Sequence, residues 1–212
     1  MGSGASEIIG LYERHAAEWD LNRTAELTLE QEWMARFVSL LPPGGSVLDI
    51  GCGSGQPIAR HLLERGFCVV GVDSSPTLIA TCRRRFPEAQ WMVADMRTLS
   101  INRTFDGLIA WDSFFHLPHH DQRALFAIFR AHAAPGAPLL FTTGPGFGEA
   151  IGSFQGEPLY HASLSAEEYR SLLASCGFEV RHHVAEDPSC GGHTVWLAQD
   201  GRPRPGTISP EK

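Results

Sequence analysis

Residues 47–55 read Val-Leu-Asp-Ile-Gly-Cys-Gly-Ser-Gly, an apolar run that ends in three alternating glycines. This pattern predicts a buried strand that enters a tight turn, and the stretch 58–64 that follows has the apolar spacing of an amphipathic helix. Gly51, Gly53 and Gly55 allow the backbone to approach a ligand closely, and the start of a helix offers free N–H groups. The segment therefore predicts a strand–turn–helix unit that holds a nucleotide-like cofactor at the carboxyl end of a parallel sheet.

The chemistry of this turn differs from that of a dinucleotide site. In the G-x-G-x-x-G fingerprint a third glycine stands where this chain has Gln56. Asp49 lies inside the strand, where a carboxylate would repel a pyrophosphate and would suit a cationic or hydrogen-bond-donating ligand. The D-x-G-x-G-x-G pattern resembles the first motif of class I S-adenosylmethionine (SAM)-dependent methyltransferases. SAM carries a sulfonium and an ammonium group and no phosphate, so its charge agrees with that carboxylate.

The resemblance implies an α/β fold: a Rossmann-like, doubly wound, seven-stranded sheet, mostly parallel with an antiparallel last strand, helices on both faces and an N-terminal helical lid. The alternation of strand and helix patterns through Phe141 agrees with βαβ units. We expect a single domain over 1–199, and its predicted strands lie at 47–50, 67–72, 91–94, 105–111, 138–142, 178–185 and 193–199. Three further segments are predicted: N-terminal helices over 1–41, an irregular acceptor loop at 144–160 and a disordered tail at 200–212.

Acidic residues follow the second and third strands. Asp73 ends the second strand 20 residues after Gly53, the spacing at which a carboxylate meets ribose hydroxyls. Ser75 with the proline behind it is also a good helix start, so Asp73 could serve the helix cap, and both roles can hold. The resemblance implies that Asp95 and Met96 contact the adenine, the alternative being a surface aspartate that begins a loop. In full, the implied cofactor contacts are Asp49, Gly51, Cys52, Gly53, Gly55, Gln56, Asp73, Ser74, Asp95, Met96 and Trp111.

The segment after the fourth strand supplies the catalytic candidates. Methyl transfer is an in-line displacement, so the enzyme mainly aligns nucleophile and donor, and a base is needed only where the acceptor is protonated. The resemblance places Asp112 beside the cofactor and His116 toward the acceptor, as a general base or as a hydrogen-bonded packing histidine. Candidate acceptor contacts, for each of which ordinary packing is the alternative, are Tyr12, Trp19, Tyr160, His161 and His193.

Composition narrows the class of partner. The chain has 212 residues and a formal charge of −7, which argues against a nucleic-acid surface. No secretory leader and no apolar run of membrane length is visible, and five cysteines without a C-x-x-C pair fit a reduced cytosol. We therefore expect a cytoplasmic protein, a monomer or homodimer, with a small-molecule acceptor and neither nucleic acid nor membrane as partner. A metal site is not expected, because no Asp-Asn pair follows Asp112 as in catechol-type methyltransferases.

These observations predict SAM-dependent methyl transfer to an O or N atom of a small polar metabolite. A non-catalytic SAM-binding regulator would carry the same cofactor motifs and stays open as an alternative. An NAD-dependent oxidoreductase is disfavoured by Asp49 and Gln56 and by the lack of a recognisable hydride-transfer pair.

Overall fold

The computed structural model describes residues 4–204 and contains nine strands and seven α-helices within that range. The strands are β1 (Ser46–Ile50), β2 (Cys68–Asp73), β3 (Gln90–Val93), β4 (Gly107–Ala110), β5 (Pro138–Thr143), β6 (Gly148–Phe154), β7 (Glu157–Ser163), β8 (Phe178–Asp187) and β9 (His193–Asp200). The helices are α1 (Gly4–Arg14), α2 (Ala16–Asn22), α3 (Gln31–Ser39), α4 (Ile58–Glu64), α5 (Pro76–Arg85), α6 (His119–His132) and α7 (Ala166–Ser175). Within these residues, no helix combines the length and the apolar character needed to cross a membrane.

Seven of the strands form one sheet in the order β3-β2-β1-β4-β5-β9-β8. The first five pair in parallel, and β9 runs antiparallel to both of its neighbours. The predicted fold class, including the antiparallel last strand, is therefore confirmed. The strand order reverses between β1 and β4, and the carboxyl ends at such a switch point form the crevice in which α/β proteins bind ligands.

Side chains along β1 point alternately to the two faces of the sheet, and helices cover both faces. Leu48 and Ile50 point into a layer with α6 and α7, whereas Val47 points into the layer with α3, α4 and α5. All three side chains are fully buried, since successive residues of a strand face opposite sides. The continuous apolar run of the sequence is what a central parallel strand requires.

An aromatic cluster fills the α6–α7 layer directly below the carboxyl ends of β4 and β5. The Phe114 ring meets that of Phe141 edge-on at a centroid distance of 5.5 Å, and Phe126 meets Phe129 at 5.6 Å. Edge-to-face pairs of this kind add to the burial of large apolar area. The cluster thereby fixes the two strand ends from which the candidate site is built.

The acceptor loop predicted at 144–160 is mostly an antiparallel hairpin, so the prediction of irregular structure was wrong. β6 and β7 pair from Gly148–Ser163 to Phe154–Glu157, outside the main sheet. β6 is exposed along nearly its whole length, and its sequence therefore lacks the apolar alternation that reveals a half-buried strand. The hairpin is anchored instead by β7, whose Tyr160 packs against α1.

The tail predicted as disordered over 200–212 begins as ordered structure. Asp200 ends β9, and its buried carboxylate accepts hydrogen bonds from Arg130 and Arg202. Arg204 donates to the carbonyl of Leu40 at 2.7 Å. The prediction of disorder rested on proline content, which does not reveal these ion pairs. Residues 205–212 of the predicted tail lie outside the described residues.

The packing predicts that replacing two phenylalanines by alanine lowers the stability of the protein by different amounts. Phe129 is fully buried in the aromatic cluster, whereas Phe147 is 65% exposed. Phe129→Ala should lower the free energy of unfolding by about 3–5 kcal/mol through lost burial and the cavity left behind. Phe147→Ala should change it by less than about 0.5 kcal/mol. Urea denaturation of both variants measures the difference, and equal losses would contradict this description of the core.

Candidate active site

A cavity of about 790 Å³, including its open mouth, lies at the carboxyl ends of β1, β2 and β4 under the cover of α1 and α2. Its wall includes backbone of the glycine turn, carboxylates from three strand ends and aromatic rings from the covering helices. The predicted site residues that line it are Tyr12, Trp19, Gly51, Gly53, Asp73, Ser74, Asp95, Met96, Asp112 and His116.

The turn after β1 requires glycine for reasons of space and of conformation. Gly51 has a φ of +78°, and a Cβ there would lie 2.3 Å from the Cβ of Ser113 in the turn after β4. The N–H of Gly53 donates to the Asp73 carboxylate at 2.9 Å. Gly55 faces the opposite way, toward the ring of Phe86. The turn is thus held between two strand ends, with only part of it exposed to the cavity.

Several predicted cofactor contacts do not line the cavity because they support the turn from behind. Cys52 is buried beneath the turn beside Gly71, and Gln56 lies past the turn, before α4. Trp111 packs in the layer with α3, since alternation along β4 directs it away from the cavity. The residues outside the cavity wall are Asp49, Cys52, Gly55, Gln56 and Trp111.

Asp73 lines the cavity and also supports the backbone at the start of α5. Its carboxylate lines the cavity, and it also accepts from the N–H groups of Gly53 and Ser75, each at 2.9 Å. Ser75 caps α5 by accepting from the N–H of Leu78. Burial raises the pKa of Asp73, and the backbone hydrogen bonds partly offset this rise.

Asp49 is a dehydrated carboxylate behind the glycine turn. Only 3% of the residue is exposed, and burial, reinforced by the charge of Asp73, raises its pKa to about 7. The positive charge of Arg23 lowers the value in part. A carboxylate poised in this way ionises readily when a cation approaches.

Asp95 and Met96 lie side by side on the cavity wall, and Asp95 also begins a short turn. Its carboxylate accepts from the side chain of Arg97 at 2.5–3.0 Å and from the backbone N–H of that residue at 2.9 Å. Burial alone would raise the pKa of Asp95, but the hydrogen bonds from Arg97 bring it below its ordinary value. The cavity position and the loop-start alternative therefore both describe this residue.

Asp112 stands in an unusual backbone conformation at the end of β4. Its φ is +47°, a left-handed value that aspartate tolerates at a cost on the order of 1 kcal/mol. The Oγ1 of Thr142 accepts from its N–H at 2.9 Å, and the Nε2 of His193 lies 3.0 Å from its Oδ1. Arg23 is 3.8 Å from Oδ2. Neighbouring strands thus hold the carboxylate in one orientation.

His116 is engaged on both ring nitrogens. Its Nδ1 lies 2.8 Å from the carbonyl of Tyr160, which can only accept, so Nδ1 carries the proton. Nε2 therefore accepts from the hydroxyl of Tyr12, also at 2.8 Å. Burial lowers the pKa of His116 to about 4, so the ring is neutral at pH 7. This geometry favours the packing alternative over a base in direct contact with an acceptor.

A second cavity of about 980 Å³, including its open mouth, lies between the end of β5, the hairpin and the start of β9. His161 and His193 line it, whereas the Tyr160 ring packs against α1 and does not. The rings of Phe115, His116 and His161 form a cluster in which each ring contacts the other two, at centroid distances of 4.8–5.2 Å. The contact of His193 with Asp112 joins the walls of the two cavities.

Arg23 is a site residue that sequence reasoning missed. Its guanidinium lies 4.7 Å from the Trp19 ring centroid, and its buried Nε has no hydrogen-bond partner among residues 4–204. The spacing of four residues between Trp19 and Arg23 was the available signal, since such pairs meet on a helix. An unpaired buried donor close to a cavity is available to an anionic group of a ligand.

The site fits a ligand that carries both charges. Arg23 has an unpaired donor for an anion, and the close-packed Gly51 turn leaves backbone open to the cavity. Asp49 places a buried carboxylate behind that turn, where its charge would favour a cation in the cavity. SAM has an amino-acid end with ammonium and carboxylate beside its sulfonium. The fold is Rossmann-like, and the charges of the site match those of an adenosyl-type cofactor such as SAM.

Comparisons with known proteins show which proteins this chain is similar to. Residues 47–136 match the family described as "Methyltransferase domain". An O-methyltransferase of Pyrenophora dematioidea is 26% identical over 84% of this chain and 73% of its own. A dTDP-3-amino-3,6-dideoxy-alpha-D-glucopyranose N,N-dimethyltransferase of Streptomyces fradiae is 34% identical over 44% of this chain, which spans only 37% of that relative. The SAM-bound amino pentose methyltransferase CalS10 of Micromonospora echinaspora superposes with a TM-score of 0.66 at 20% identity, covering 88% and 96% of the two chains. Residues 47–136 therefore resemble a methyltransferase domain, and the chain shares its fold with a SAM-bound methyltransferase.

Asp49 should oppose folding while it favours cofactor binding. A carboxyl whose pKa rises to about 7 on folding contributes stability at low pH that is lost as pH rises from about 4 to 7. Asp49→Asn should therefore stabilise the cofactor-free protein at pH 8 by up to about 4 kcal/mol and change little at pH 4. The same variant should bind SAM about 10- to 100-fold more weakly, because a charged partner is lost.

Thermal unfolding at the two pH values and calorimetric titration with SAM measure both effects. Glu88→Gln, at an exposed carboxylate, is the matched control. Wild-type SAM affinity in the Asp49→Asn variant would contradict this role for Asp49.

Proposed function

We propose that this protein transfers the methyl group of SAM to a nitrogen or oxygen atom of a small polar molecule. The observation that carries the proposal is the Asp112–His193 contact, which joins the cofactor cavity to the second cavity. A carboxylate at this junction can meet a group that enters from either side. The relatives support both acceptor atoms, since one is an O-methyltransferase and another methylates an amino sugar nitrogen.

The cofactor cavity would hold SAM through groups of complementary chemistry. Asp73 would accept from the ribose hydroxyls, and Asp49 and Arg23 would face the amino-acid end. Asp95 and Met96 would hold the adenine by a hydrogen bond and by apolar contact. When bound, SAM supplies an electrophilic methyl group on a positively charged sulfur.

Asp112 would act on the acceptor. Its carboxylate can accept a hydrogen bond from an acceptor N–H or O–H and so orient the lone pair of the nucleophile, a positioning effect of several kcal/mol. It can also take up the proton that the acceptor loses. The Thr142 bond and the left-handed backbone keep this carboxylate at the cavity junction.

His116 would act indirectly, through Tyr12. Its Nε2 fixes the direction of the Tyr12 hydroxyl, and that residue lines the cofactor cavity. Because both nitrogens of His116 are engaged, it would serve as a positioning residue, not as the general base. The ring cluster of Phe115, His116 and His161 would exclude water from the space between the two cavities.

The proposal is tested with trideuteromethyl-labelled SAM and a defined panel of small amines, alcohols and carboxylic acids. Mass spectrometry should detect the label in at least one acceptor, with an equal amount of S-adenosylhomocysteine formed. SAM binding without transfer to any acceptor of the panel would contradict the proposed function and favour the regulatory alternative.

Asp112→Asn should separate binding from turnover. The amide keeps the size of the side chain but removes its charge and its basicity, so kcat should fall by about 100-fold. The affinity for SAM, measured by calorimetry, should change by less than about threefold, since the groups assigned to the ribose, the adenine and the amino-acid end belong to other residues. Glu179→Gln, an exposed carboxylate on β8, is the control and should retain wild-type kcat. An Asp112→Asn variant with wild-type kcat would exclude Asp112 from the reaction.

A further inference from the structure

His193 makes two hydrogen bonds to groups that can only accept. Its Nδ1 lies 2.5 Å from the carbonyl oxygen of Cys190, and its Nε2 lies 3.0 Å from the carboxylate of Asp112. A neutral imidazole has a single N–H and could satisfy only one of these partners. Both bonds exist together only when both ring nitrogens carry hydrogen, which is the imidazolium form.

The surroundings of the ring favour a positive charge. The ring stacks on the Trp111 indole at a centroid distance of 5.8 Å and an angle of 28°, and an indole face attracts cations. Asp112 and Glu30 raise the pKa of His193, to about 9, although its partial burial opposes this rise. Arg23 is a second cation near the Asp112 carboxylate. Glu149 and His161 line the second cavity together with His193.

The loop before β9 is built to keep the Cys190 carbonyl in place. Asp187 accepts from the buried indole N–H of Trp33 at 2.8 Å and begins the 3₁₀ turn that contains Cys190. Gly191 follows with a φ of +62°, and a Cβ there would lie 2.7 Å from the Leu29 side chain. The loop thus presents its carbonyl to His193 from a fixed position.

We propose that His193 is a positioning residue that, as an imidazolium, fixes the Asp112 carboxylate at the junction of the two cavities. The proposal rests on the proposed function and deepens it. Because both N–H groups of His193 are engaged, the ring has none left for an acceptor, in contrast to the substrate contact predicted from the sequence. His193 and Thr142 both contact Oδ1 of Asp112, whereas Oδ2 has only Arg23 at 3.8 Å among the described residues. Oδ2 is therefore the oxygen that meets the acceptor N–H or O–H.

The charge of the ring can be measured without turnover. An NMR pH titration of isotope-labelled, cofactor-free protein follows the imidazole signal of His193, which is assigned by its absence in His193→Gln. The ring should remain doubly protonated at pH 7 and titrate near pH 9. Asp112→Asn should shift that titration toward the ordinary histidine value of about 6.5. The free energy of unfolding should depend on the same protonation. The wild-type protein should be more stable than His193→Gln by the full amount below about pH 6.5, and this difference should vanish as the pH rises through about 9.

Turnover tests the positioning role. With the best acceptor of the labelled panel, His193→Ala should lower kcat by about 10- to 100-fold, because a displaced carboxylate no longer orients the nucleophile. His193→Gln keeps one N–H donor and should recover part of that loss. The alkaline decline of wild-type kcat near pH 9 should be absent in both variants. His182→Gln, at an exposed histidine of β8, should match wild type throughout.

The outcomes are distinct. A His193 ring that is neutral at pH 7, or a His193→Ala variant with the kcat and pH profile of wild type, overturns the positioning role alone. A wild-type enzyme that methylates no acceptor contradicts the proposed function and the positioning role with it.

Discussion

The turn after β1 and the turn after β4 touch, and the site depends on that contact. Gly51 approaches Ser113 so closely that no Cβ fits between them, and the Ser113 hydroxyl donates to the Ile50 carbonyl at 2.8 Å. The contact closes one end of the crevice at the switch point of the sheet. It also sets the distance between the glycine turn, which faces the cofactor, and Asp112, one residue before Ser113. A side chain at position 51 would therefore disturb the cofactor wall and the acceptor side together.

Helix α1 connects the two halves of the site from above. Glu13 accepts from the Ser75 and Thr77 hydroxyls at the start of α5, on the cofactor side. The next two residues, Arg14 and His15, bind Glu157 of the hairpin, on the acceptor side. Exposed ion pairs of this kind contribute little to stability. Three consecutive residues, Glu13 to His15, nevertheless tie the end of α1 to both walls of the site.

The sequence predicted the parts of the site that depend on local pattern. The alternating glycines, Asp49 and Asp73 all belong to short segments with a clear pattern. The glycines follow β1, Asp49 lies inside it, and Asp73, 20 residues after Gly53, ends β2 as predicted. The hairpin was missed because β6 is exposed and has no apolar period. Arg23 and the role of His193 were missed for another reason. Their contacts with Asp112 join segments far apart in the chain, and no local pattern reports which side chains a fold brings together.

The charges at the centre of the molecule are arranged for a ligand more than for stability. Asp49 and Asp73 are buried carboxylates whose pKa values both rise, which means that their ionised forms oppose folding. Asp112 has the opposite environment, since His193 and Arg23 both lie near its carboxylate. Ionisable groups in such different surroundings cluster at functional sites, because they add no stability to the protein by themselves. Asp49 and Asp73 have no ion-pair partner within the described part of the chain, so the donors of a bound ligand would offset the cost of ionising them. The carboxylate of Asp112 on the acceptor side already has His193 and Arg23 beside it, and these contacts orient it toward the nucleophile.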